Sequence, residues 1–185
     1  ISLGLVGSEM CIRDRGTTVD AFSGLQTYYN QGNEPCLHIS WLFNEAGRPS
    51  LTQKWVRAIL DEFYGTDGIH GYGYGQDEDQ GQLGAWYVIS SLGIFDVAGL
   101  GNINPQFALG SPKFDKVTIQ LDSTYYKGKE FVIETVNNSQ TNKYAQKYMW
   151  NGEPLSSLYI PFRKVTEGGT LRVEMGSEPK DQYQD

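Results

Sequence analysis

The apolar residues of this 185-residue chain change their period once, and that change limits the fold more than any other feature. Before Asp96 they recur at helical spacing; after the Gly/Asn/Pro-rich connector AGLGNINPQ (98–106) they alternate or cluster as in strands. A run of helices followed by a run of strands is the signature of an α+β chain. Leu51, Trp55, Ala58, Ile59, Glu62 and Phe63 trace one helix stripe, opened by a Ser50-x-x-Gln53 capping box and closed by Gly65. Asn33-Glu34-Pro35 predicts another helix start. Leu37, Trp41 and Leu42 form the apolar face of that helix, and Gly47 and Pro49 stop it. Asp20–Asn30 is a further short helical stretch. Short loops between helices predict antiparallel neighbours in a bundle or toroid.

Strands are expected over Lys116–Leu121, Glu130–Val136, Tyr144–Trp150, Leu158–Phe162 and Thr170–Met175. Turn residues separate them at Lys127-Gly128, Asn137-Asn138, Asn151-Gly152 and Gly168-Gly169, which predicts an antiparallel layer. Residues 16–98 therefore read as the helical part and 99–185 as the β-rich part.

The chemistry concentrates in Gly71–Leu92, GYGYGQDEDQGQLGAWYVISSL. Asp79 and Gln82 have capping-box spacing, so Asp79 is the expected N-cap of a helix that aligns Leu83, Trp86, Ile89 and Ser90. If the chain is extended just before that helix, Asp77 and Asp79 face one side and Glu78 the other. Two carboxylates can thus be aimed into one cavity. Acids before a helix also simply offset its dipole, at ~0.3–1 kcal/mol each. Tyr72 and Tyr74 among Gly71, Gly73 and Gly75 add flat faces of the kind sugars bind. His38 reads as packing rather than catalysis, His70 as a loop residue able to touch sugar, and Trp41, Trp55 and Trp86 as core.

Charge narrows the partners. Fifteen basic against 22 acidic residues give a net charge of −7 without a basic cluster, which argues against nucleic acid or an anionic membrane. No apolar run reaches the ~18 residues of a membrane span. Cys11 and Cys36 are not in a metal or redox spacing. Residues 2–15, SLGLVGSEMCIRDR, resemble a translated sequencing adapter; residues 1–15 are set aside as non-native, and the authentic chain is expected to begin near Gly16, without its upstream part.

Five segments in order resemble glycoside hydrolase family 92, the calcium-dependent exo-α-mannosidases: NEPCLHISWLFNEAGRPSLTQKWVRAIL, DEDQGQLGAWYVISSLGIFDV, FALGSPKFDKVTIQL, MWNGEPL and GGTLRVEMGSEP. The resemblance implies the last helices of an (α/α)6 toroid followed by an antiparallel β-rich C-terminal segment. It implies an inverting enzyme that removes terminal α-mannose from mannose-containing glycans, with acid and base ~6.5–9.5 Å apart. Carried over residue by residue, the base is Asp77 or Asp79, and the choice between them stays open. Calcium falls to Glu34 with Asn33, oxygen ligands suited to that ion, though the same pair also reads as plain helix capping. Tyr74, Gln76, Glu78 and His70 become substrate contacts. The family's general acid, a Glu upstream of the Asn-Glu-Pro motif, has no counterpart before Gly32, so the chain alone is expected to be inactive. Gly84 stands where Ser is common. Family members are usually exported, to the periplasm or outside the cell. Two other readings remain: a non-catalytic carbohydrate-binding module over residues 105–176, or a toroidal glycosidase acting on another sugar.

Overall fold

A computed structural model describes residues 31–32, 34–64, 80–98 and 101–183. The segment after Glu34 forms two 3-10 turns, Glu34–Cys36 and Ile39–Trp41, rather than the single helix expected from its apolar spacing. Helix α1 spans Pro49–Glu62 and α2 spans Gln82–Ser91. The strands are β1 (Ile94–Phe95), β2 (Gln106–Leu109), β3 (Lys116–Gln120), β4 (Glu130–Val136), β5 (Tyr144–Trp150), β6 (Glu153–Leu155), β7 (Tyr159–Pro161) and β8 (Gly169–Gly176), with a short helix α3 (Phe162–Thr166) before β8. The α+β arrangement is as expected, with helices first and strands after.

The strands make two sheets, ordered β1-β2-β7 and β3-β4-β8-β5-β6. All pairs are antiparallel except β4 with β8, whose register runs from Phe131↔Gly169 to Val136↔Glu174. The layer is therefore mixed, where turn signals alone predicted an antiparallel one; the long excursion through β5, β6, β7 and α3 lets β8 enter beside β4 in the same direction. Asn151 and Gly152, both with positive φ (50° and 90°), make the tight β5–β6 hairpin.

Strand β2 shows how the layers stack. Its side chains alternate: Phe107 and Leu109 enter a core with Phe131, Ile133, Tyr148, Leu171 and Val173 of the larger sheet, while Ala108 joins Leu37, Trp41, Val56, Leu60, Leu83 and Trp86 of the helical layer. The small sheet thus contributes to both cores, while α1 also meets β5 of the large sheet directly. Trp41 stacks on Phe95 at 5.4 Å and presses on Gly110, where a Cβ would come within 2.8 Å of its ring. Only glycine permits that approach.

Helix α1 faces inward differently from its predicted stripe. Thr52, Gln53, Val56, Arg57 and Leu60 are buried, whereas Trp55, expected in the core, is 45% exposed. The inward face carries polar residues because it meets backbone. Gln53 accepts from Ala145 N (3.0 Å) and donates to the hydroxyls of Tyr148 (3.2 Å) and Tyr183 (2.9 Å). The Arg57 guanidinium donates to the Pro112 carbonyl at 2.7 Å, and burial pulls its pKa down against the raising effect of Asp61. Ser50 and Gln53 therefore do not form a capping box. Pro49 is the first helical residue, and Asp181 supplies the cap: its carboxylate accepts from Ser50 N (3.0 Å) and from Arg48 Nε (2.9 Å).

Candidate active site

Helix α2 begins at Gln82 behind Gly81, which has φ 93° and makes no side-chain cap bond. Asp79 is therefore not the N-cap. Gln80 (φ 61°) and Gly81 are successive left-handed residues, so the backbone turns sharply between the acidic motif and the helix. A non-glycine residue in that region stores ~1 kcal/mol of strain. The helix buries Leu83, Trp86, Ser90 and Ser91, close to the expected face, and Gly93 (φ 74°) follows its end.

Glu34 opens the first 3-10 turn; it is exposed, and its carbonyl accepts from Leu37 N at 3.1 Å. Two hydrogen-bonded ties connect this segment to α2. Trp86 Nε1 donates to the Leu37 carbonyl at 2.7 Å. Gln31 Nε2 donates to the Tyr64 hydroxyl, which donates in turn to the Leu83 carbonyl, both at 3.1 Å. The Tyr64 ring stacks on Trp86 (centroids 5.8 Å, 10° between planes) and leans on Tyr87 (4.9 Å). The start of α2 and the Glu34 turn are thus neighbours, although about fifty residues separate them.

Of the residues singled out from sequence, Glu34 is described and exposed, and it lies between Gln31 and Leu37, the two residues through which this segment is tied to α2. Asn33, His70, Tyr74, Gln76, Asp77, Glu78 and Asp79 lie outside the described residues. Asp79 is covalently adjacent to Gln80, the first described residue before α2. His38 is exposed. Among the described residues no group of three or more His, Cys, Asp or Glu side chains could hold a metal. Glu34 offers one hard carboxylate of the kind calcium takes, whereas a calcium ion needs ~6–8 oxygens. A shallow hollow lined by Lys129, Glu130, Val132, Glu167 and Thr170 shares no residue with this region. Gln31 and Tyr64, which join the two segments, follow no periodic pattern; only the pairing of Tyr64 with Phe63 at the end of a helix marks the position.

Residues 9–177 match the glycosyl hydrolase family 92 catalytic domain. The chain belongs to glycosyl hydrolase family 92. A curated relative from Arthroderma benhamiae, described as an uncharacterised secreted glycosidase, is 29% identical over 151 residues, 80% of this chain and 18% of its own length. A family GH92 α-mannosidase from Bacteroides thetaiotaomicron is 31% identical with a TM-score of 0.73, over 84% of this chain and 20% of that structure. A family GH92 inverting mannosidase from the same bacterium is 32% identical with a TM-score of 0.71, over 94% of this chain and 21% of its own. The chain thus spans about a fifth of the length of these relatives. Among the described residues no helix is long and apolar enough to cross a membrane.

Proposed function

We propose that this chain carries the base side of the active site of an exported, inverting α-mannosidase that removes terminal α-mannose from mannose-containing glycans. Family membership supports glycoside hydrolysis, and the α-mannosidases among the solved relatives support the sugar. The secreted relative supports export. The observation that carries the reading is the double tie between the segment around Glu34 and α2, because it puts that segment beside the helix that follows the acidic motif in sequence.

On this reading Asp77 or Asp79 takes a proton from water as the water oxygen bonds to the anomeric carbon and the glycosidic C–O bond breaks. The other carboxylate orients that water. The leaving oxygen is protonated by an acid from outside residues 31–183, and the configuration inverts because water arrives opposite the leaving group. Glu34 and Asn33 would hold calcium through oxygen. The ion would supply positive charge there to hold sugar hydroxyls. Tyr74, Gln76, Glu78 and His70, close to these acids in sequence, would contact the sugar.

The test uses the intact enzyme, with this chain joined to its contiguous upstream coding sequence. On 4-nitrophenyl α-mannoside, Asp77→Asn or Asp79→Asn should lower kcat by ~10²-fold or more. Glu34→Gln should raise the calcium concentration needed for half-maximal rate, and a chelator should abolish activity until calcium is returned. Full rates in both Asp variants would remove the base assignment; indifference to chelator would remove the metal.

A further inference from the structure

The Tyr64 ring is held on three sides, by Phe63 at 5.1 Å edge-on, by Trp86 in a stack and by Tyr87. A phenylalanine would fill that space equally well, so the hydroxyl must be explained separately. It lies in a half-buried position, accepts from Gln31 and donates to the Leu83 carbonyl, so both its donor and an acceptor site are used. The Trp86–Leu37 bond joins the same two segments a second time. Glu34 lies midway along the chain between the two anchor points, Gln31 and Leu37. A turn pinned on both flanks and clamped against one helix has little freedom to move its central residue.

We propose that Tyr64 is a positioning residue whose hydroxyl fixes the segment that carries Glu34 at a set distance from the first turn of α2, the helix that follows the acidic motif in sequence. This rests on the reading of those segments given above. A displacement of about 1 Å between reacting groups can cost ~10²-fold in rate, so a single bridging hydroxyl can matter far more to turnover than to folding. The bond to Gln31 and the bond to Leu83 act in series. Removing either partner should have the same consequence as removing both.

The experiment compares Tyr64→Phe, Gln31→Met and the double variant in the intact enzyme. It reads kcat and KM on 4-nitrophenyl α-mannoside, the calcium dependence, the thermal midpoint, and amide hydrogen exchange over 34–37 and 82–87. Expected are a fall in kcat of about tenfold with KM nearly constant in each single variant, and no further fall in the double. Exchange should quicken in both segments of Tyr64→Phe together. A lowered thermal midpoint with unchanged kcat and calcium response would reduce Tyr64 to a core residue and overturn the proposal. So would multiplicative effects in the double variant, or faster exchange in one segment only. An intact wild-type enzyme inert toward the mannoside would defeat the functional reading, while hydrogen exchange would still decide whether the hydroxyl couples the two segments.

Discussion

Gln53 shows what one buried amide can do. Its oxygen satisfies the Ala145 N–H and its nitrogen serves two tyrosine hydroxyls, so a helix, a strand and the C-terminal tail share one side chain. Gln53→Leu keeps the volume and leaves the buried Ala145 donor unpaired, which should cost about 1–3 kcal/mol and appear as a lowered thermal midpoint. Burial raises the Tyr183 hydroxyl to about 12, so it stays protonated and donating through the neutral range. Asp181 behaves in the opposite sense. Partial burial works to raise its carboxyl, but the bonds from Ser50 and Arg48 outweigh that and hold it below its ordinary 3.8. A lowered folded pKa means stability that is complete above about pH 4 and lost as pH falls through the folded value. Asp181→Asn should therefore be less stable than the parent at neutral pH, with the gap closing below pH ~4, as followed by thermal midpoints across pH. None of these roles was legible in the sequence. Gln53 sits at the spacing of a helix cap, and its partners lie 92 to 130 residues away, where no local period can report them.

Elements were easier to read than residues. Strands β3, β4, β5 and β8 fall within a residue or so of their expected bounds, because alternation is a local signal and both ends carry turn residues. Strands β1, β2 and β6 are two to four residues long, too short to show a period. The expected strand Leu158–Phe162 shrinks to Tyr159–Pro161, since Phe162 already begins α3. Both predicted capping boxes failed for a shared reason. A polar residue at the right spacing matters only if the helix begins there, and Pro49 and Gly81 set the two starts instead. At Gly81 the φ of 93° is costly for any side chain. Gly81→Ala should therefore destabilise by about 1–2 kcal/mol, measurable as a shift in urea midpoint. The family was legible in its motifs, while the ties that join the segment around Glu34 to α2 were not, because hydrogen bonds from Tyr64 and Trp86 leave no mark on composition or spacing.

At the scale of the whole molecule, helices and strands share their cores. The β core draws on Ile94 before the connector and Tyr183 after the last strand, and Ala108 packs among helical residues. Residues 105–176 expressed alone would leave this shared surface and the Ala145 donor uncovered, so we expect no cooperative thermal transition from that piece. A sharp melt with mannoside binding would instead favour an autonomous binding module. The Asp181 cap has a further consequence for the order of assembly. Ser50 leaves the ribosome long before the carboxylate that completes its helix, which is made 131 residues later. During that interval the growing polypeptide has an unfinished helix end and an uncovered Gln53. Stalled or shortened translation products should thus be open to proteases at α1 until Asp181 arrives and locks the helix shut.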